Sequence, residues 1–173
     1  METWEAIDSL RVVRSFDGRD LPPEHIERIV DAGRRTGSSK NLQRWAFIVV
    51  RDRDRLNELA NAGPFAGHVA GAAVAIALVS PDPSQSDRPL SILWDLGRAA
   101  QNMVLAAWAL GIGSCPATVY EHERVDRLLH IPDDQHCEYI LSFGYPADES
   151  ELTAPKRGGG RLTRAEVLHE ETW

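Results

Sequence analysis

Apolar and polar positions change between helical and strand-like spacing along the chain, and those changes mark its elements. Trp4, Ile7 and Leu10 recur at helical spacing behind Thr3, which predicts a first helix capped by that threonine. Pro22 and Pro23 suit a helix's first turn, and Ile26, Ile29, Val30 and Gly33 then form an inward stripe that Gly37 ends. The polar stretch Ser38-Ser39-Lys40-Asn41-Leu42-Gln43-Arg44-Trp45 leads into Ala46-Phe47-Ile48-Val49-Val50, a run expected to be a buried strand. A short charged helix from Asp54 to Ala60 follows, and then a second buried strand from Ala73 to Val79.

Pro81 to Pro89 reads as a mobile loop rich in turn formers. Leu90 to Leu110 is the longest helical pattern, with Leu93, Trp94, Gly97, Ala100, Gln101, Val104, Leu105 and Trp108 on a broad face. A helix this apolar belongs both to the core and to a subunit interface. Gly111-Ile112-Gly113 begins like a dinucleotide fingerprint, but a helix precedes it and Pro116 stands where the third glycine should be, so a Rossmann reading is excluded. The stretch up to Thr118 reads as a strand or extended turn instead. Val125, Leu128 and Leu129 mark a short helix, and Tyr139 to Pro146 a strand covered on both faces. Thr163 caps a last helix, Arg164 to His169. With no internal repeat, residues 1–173 are expected to form one domain.

Composition narrows the function. A formal charge of −7 over 173 residues argues against a nucleic-acid or anionic-membrane partner, although arginines gather near both ends. Cys115 and Cys137 are too far apart for a metal pair or a Cys-x-x-Cys motif and read as buried thiols of a reducing compartment. Met1-Glu2-Thr3-Trp4-Glu5 carries no signal-peptide pattern, and the apolar run from Ala70 to Val79 falls short of the ~20 residues of a membrane helix. A cytoplasmic protein is expected. The six histidines, His122 and His130 among them, show no ligand spacing, so no metal site is expected, and no nucleophilic triad is visible.

Three polar features offer chemistry. Arg11 and Arg14, three apart, could share one side of a helical turn and fork onto a phosphate, or be solvated surface arginines. The hydroxyls and amides of Ser38 to Gln43 suit the polar edge of a planar heterocycle, or an ordinary loop. Pro155-Lys156-Arg157-Gly158-Gly159-Gly160-Arg161 could wrap an anion in backbone N–H groups, or form a flexible tail.

Taken in order, the arginine pair, the Ser-Ser-x-Asn-x-Gln-x-Trp turn, the long apolar helix, the Gly-Ile-Gly turn and the Phe143-Gly144-Tyr145-Pro146 strand end followed by basic residues resemble the FMN-dependent nitroreductase family. The likeness runs from about Trp4 to His169. It implies an α+β fold, with a mixed central sheet wrapped by helices, in an intertwined homodimer holding FMN at the interface. Carried over by position, Arg11, Val12 and Arg14 would line the phosphate and ribityl end, with Arg161 approaching from the tail. Gly37, Ser38, Ser39 and Asn41 would come from the partner subunit, and Gln43 would support their turn. Pro116, Ala117, Thr118 and Val119 would lie along the isoalloxazine, a backbone N–H near Thr118 facing N5.

The implied chemistry is ping-pong electron transfer from NAD(P)H to a nitroaromatic, quinone or similar small acceptor, with Arg14 supplying charge where the flavin becomes negative. A flavin-binding or storage module, a dehydrogenase or dehalogenase on the same fold, and a dimer without flavin are the alternatives. Three departures bear on them. Leu10-Arg11-Val12 stands where the family has Arg-Arg-Ser, Arg44 replaces the proline before the tryptophan, and only the Pro81 to Pro89 loop stands in place of a helical insertion over the substrate side.

Overall fold

Two strands lie at the centre of the sheet: β2 (Val74–Pro81), almost wholly apolar, and β4 (Gln135–Gly144), which opens polar and turns mainly apolar from Tyr139. They are flanked by β1 (Ala46–Val50) and β3 (Gly113–Thr118) in the order β1-β2-β4-β3, every neighbouring pair antiparallel. The computed structural model describes residues 1–87, 89–153 and 160–173. Among them the expected mixture of directions enters only through an isolated parallel bridge, Val12 to Ser114. The arrangement is α+β.

Period-two alternation divides β2 between two cores. Val74, Ile76 and Leu78 face α2 (Pro23–Arg34) and α4 (Pro89–Trp108), packing with Ile26, Ile29, Leu96 and Met103. Ala75, Ala77 and Val79 face α3 (Arg53–Leu59) and α5 (His122–Leu129), packing with Leu56, Leu59 and Val125. Gly33 permits the close approach of α2 to α4, since a Cβ there would lie 2.2 Å from Met103 Cε. Cys137 turns into the second core, where burial pushes its thiol up to about 12.

Several boundaries and faces differ from expectation. The N-cap of α1 (Thr3–Ser9) is Glu2, whose N–H donates to the Glu5 carboxylate at 3.3 Å, so Thr3 is the first helical residue. The helix buries Ala6 and docks through Trp108, whose Nε1 donates to Ser9 Oγ at 2.8 Å, while Trp4 stays 74% exposed. Helix α2 stops at Arg34 rather than Gly37, because Arg35 and Thr36 close its last turn. The run 46–50 is an edge strand, not a buried one: it has a neighbour on one side only, and Val50 is its one fully buried residue.

Helix α4 buries Ile92, Asp95, Leu96, Ala99, Met103, Ala107 and Trp108, a stripe that overlaps the expected face: Ala100 and Val104 pack against the α2 core, and Leu105 against Trp108 and Ala6. Trp94, Gly97 and Gln101 face outward. The helix is apolar over more than one stripe, so packing on α2 and the sheet leaves a second apolar face. Asp82 caps a 3-10 turn, Pro83–Gln85, within the expected loop, whose Arg88 lies outside the described residues. So do Pro155, Lys156, Arg157, Gly158 and Gly159 of the basic glycine run. The last helix, α6 (Arg164–Val167), ends before His169 and is capped by Thr163, whose N–H donates to Glu166 at 2.7 Å. Among the described residues no helix is long and apolar enough to cross a membrane.

Candidate functional site

The open edge of β3 presents one half of the site. Val119 N–H donates to Glu138 O at 2.9 Å. Antiparallel alternation therefore turns residues 113, 115 and 117 toward β4, and Ser114, Pro116 and Thr118 outward. The Ser114 carbonyl accordingly accepts Val13 N–H at 3.0 Å. Pro116 sits outward too, where a missing N–H costs no ladder bond. Thr118, exposed, aims its N–H off the edge of the sheet. The Ala117 and Val119 side chains are buried and their N–H groups face β4, so the ring contacts expected of these two residues find no outward group there.

The segment carrying the early arginines is not a helical turn. It runs extended beside β3, bridged at Val12, and Gly113 admits it: a Cβ at 113 would lie 2.6 Å from Val13 Cβ. The two arginines consequently do different things. Arg11 Nη1 donates to the carbonyls of Asp8 at 3.2 Å, Ser9 at 2.7 Å and Leu10 at 3.0 Å, capping the end of α1. Arg14 is exposed, close enough to Cys115 and His68 to act on both. Burial, and then the Arg14 charge, lowers the pKa of His68. Burial raises the Cys115 thiol, and Arg14 opposes that rise.

His68 and Ser142 carried no local signal in the sequence. The fold joins them: His68 Nδ1 lies 2.8 Å from Ser142 Oγ, which donates to the Cys115 carbonyl at 3.2 Å. With its proton so used, Ser142 accepts from Nδ1–H. Arg161 is exposed behind the positive-φ Gly160 (φ 56°), and among the described residues makes no hydrogen bond to the Arg14 cluster.

The second half is the turn before β1. Ser39 N–H donates to buried Asp95 Oδ2 at 2.8 Å, and Ser38 Oγ accepts Gln43 N–H at 2.9 Å. Gln43 Nε2 reaches Asn41 Oδ1 at 3.3 Å, the supporting role expected of it. Lys40, Asn41 and Gln43 take left-handed φ values of 53°, 56° and 49°, a conformation that costs about 1–3 kcal/mol per residue and persists where surrounding bonds hold it. Ser38, Ser39, Trp94, Asp95 and Arg98 line a groove of about 510 Å³. Gly37 borders the Arg98 guanidinium, and Arg44 ties the turn to α4 through Nη2 donating to Ser91 Oγ at 2.7 Å. Asp95→Ala would orphan the Ser39 N–H and is expected to lower stability by about 1–3 kcal/mol in urea unfolding. An unchanged midpoint would show that Asp95 does not hold the turn.

The turn before β1 and Thr118 sit at the same end of the sheet but on opposite edges, while the Val12 bridge to Ser114 lies toward the other end. Three strand spacings separate β1 from β3, about 14 Å.

A family model described as the nitroreductase family matches residues 7–67 and 61–145, a span that contains both halves. The chain belongs to the nitroreductase family. Its similarity to other members extends over most of its length. An NADH dehydrogenase/NAD(P)H nitroreductase of Archaeoglobus fulgidus is 36% identical over 157 residues, covering 87% of this chain and 89% of that one. A solved nitroreductase of Parabacteroides distasonis superposes with a TM-score of 0.84 at 27% identity, covering 99% and 98% of the two chains. The NADPH:FMN oxidoreductase of Vibrio harveyi, solved with NAD+, gives a TM-score of 0.86 at 26% identity over 99% of this chain and 77% of its own length.

Proposed function

We propose that this chain is an FMN-dependent NAD(P)H oxidoreductase that reduces a small planar acceptor, a nitroaromatic or quinone, as a homodimer with FMN between its chains. The observation that carries the reading is the placement of two complementary polar groups on opposite sheet edges. A second copy, turned so that its Ser38–Asn41 turn meets this chain's β3 edge, completes the site twice over. The exposed apolar faces of α1 and α4, with Trp4 and Trp94, supply the surface for that pairing.

The residues fit the group. A flavin ring has nitrogen and oxygen acceptors along one edge, and Thr118 offers an outward N–H on a flat strand edge beside Pro116. Arg14 is the cation of the same half-site; with Arg11 spent on the end of α1, the phosphate contact falls to Arg14 and Arg161. Ser38, Ser39 and Asn41 present hydroxyl and amide groups to the ribityl chain and ring edge, held there by Asp95 and Gln43. FMN, when bound, would supply the redox chemistry, hydride acceptance and electron transfer. The chain's own part would be a backbone donor for a ring nitrogen at Thr118 and a cation to offset negative charge at Arg14.

The test is the visible spectrum of the purified protein, repeated anaerobically with NADPH and then NADH. Flavin bands that bleach with a nucleotide and return with a quinone or nitro compound are expected. Bands unmoved by either nucleotide would replace this reading with a flavin-binding module. A colourless protein that takes up no added FMN would overturn the cofactor assignment.

A further inference from the structure

Three side chains outside the flavin reading converge where β4 begins. His136 and Glu138 flank Cys137 on β4, and His122 is the first residue of α5. One ligand atom from each of the three lies within 4.8 Å of the other two, and all three residues are half-buried. The two imidazoles are 4.1 Å apart between ring centroids. Their spacing in the sequence hid them; α5 folding back on the strand brings them together.

Their hydrogen bonds leave the right atoms available. His122 Nδ1 lies 3.2 Å from the Cys137 carbonyl, which only accepts, so the proton is on Nδ1 and Nε2 carries the lone pair. His136 Nδ1 lies 3.4 Å from Asp126 Oδ2, and its Nε2 3.7 Å from Glu138 Oε1. A carboxylate behind one imidazole nitrogen is the arrangement that orients metal-binding histidines. The β2–β4 ladder also slips here: Leu78 pairs with Tyr139 and Val79 with Cys137, leaving Glu138 opposite no residue of β2. Such a bulge re-aims the side chain it releases.

A cleft of about 480 Å³ opens beside His136 and is lined by Asp82, Glu123, Asp126 and Asp133, with Arg127 and His130. Its excess of carboxylates draws cations. The Asp126 Oδ1 atom is buried and has no hydrogen-bond partner among the described residues.

We propose that His122, His136 and Glu138 bind a divalent transition-metal ion of the zinc class, with Asp126 as the outer partner of His136. Two imidazoles and a carboxylate suit zinc, and bonds of about 2.0–2.2 Å would bring the ligand atoms to about 3.4 Å apart, a closure of roughly an ångström. The ion ties α5 to β4. Because the Glu138 carbonyl accepts Val119 N–H at 2.9 Å, it also braces the end of β3 that carries Thr118.

The chain, stripped with a chelator, reloaded with zinc and desalted, is expected to retain one zinc ion per chain by atomic emission. Its melting temperature should rise with added zinc. A His122→Gln/His136→Gln chain should match the stripped wild type in melting temperature, retain no zinc and show no such rise. Asp126→Asn is expected to weaken zinc binding roughly tenfold or more in chelator competition. Cobalt(II) added to the stripped wild type should give the visible bands of a tetrahedral nitrogen–oxygen site, a readout that needs no variant. Wild-type protein that desalts free of zinc and gives no cobalt bands, or a double variant that keeps as much zinc, would overturn the site.

Discussion

A Trp94→Glu chain is expected to purify as a folded, colourless monomer. Trp94 is 69% exposed on α4, with Leu90 one turn earlier at 81%, and the outward side of α1 adds Trp4 and Ile7. A chain alone gains nothing from these groups facing water, and burial against a second copy is what they suit. Truncating a central interface tryptophan typically costs 2 kcal/mol or more, and a carboxylate in its place must be desolvated as well. The dimer dissociation constant should therefore rise at least about 30-fold. The fold itself should survive, since the side chain touches solvent rather than core.

Sedimentation followed at a flavin wavelength and a protein wavelength together would measure both consequences. Flavin content should track the dimer fraction across protein concentration, because the edge strands beside each chain's two half-sites, β1 and β3, lie about 14 Å apart across its own sheet. A monomer retaining a full complement of FMN would place the whole site within one chain. A dimer of unchanged affinity would move the interface away from α4.

What the sequence made legible was local. The apolar run of β2, the proline start of α2 and the small-polar turn before β1 each depend on neighbours within a few residues, and each stands in the structure. The arginine pair shows the limit. Spacing of three reads as a helical turn only if the segment is helical, and pairing with Ser114, about a hundred residues away, makes it extended. Arg11 then caps α1 while Arg14 turns to the site. Likewise no window around Ser39 reveals that Asp95 receives its N–H, nor does one around His68 reveal Ser142.

For α4 the period was right and the face only half so, with Trp108 buried but Trp94, Gly97 and Gln101 outward, because an apolar helix offers more than one face and packing chooses between them. Pro116 is instructive in the other direction. The residue that ruled out a dinucleotide loop is explained by a place on the outward edge of a strand, which only the register reveals. That register is also what assigns the outward N–H to Thr118 rather than to a neighbour.

Thr118→Pro is expected to separate binding of FMN from its use. The residue is exposed and its N–H points away from β4, so proline removes no ladder bond and buries no new surface. Ala117 before it is already in a strand, the conformation that a following proline favours. Stability should thus change by less than about 1 kcal/mol. FMN loses one hydrogen bond, worth about 0.5–1.5 kcal/mol, which saturating cofactor restores.

The reduction step should suffer far more. A preorganised donor at the atom that receives the hydride matters most in the transition state, and losing one such donor typically costs roughly 10²-fold in rate. Thr118→Ala keeps the N–H and removes only the hydroxyl, so its rate should stay near wild type. Anaerobic stopped-flow bleaching of FMN-loaded protein by the reduced nicotinamide compares the three. If the proline and alanine variants are reduced equally fast, the backbone of Thr118 does not serve the reaction, and the outward edge of β3 has only a packing role.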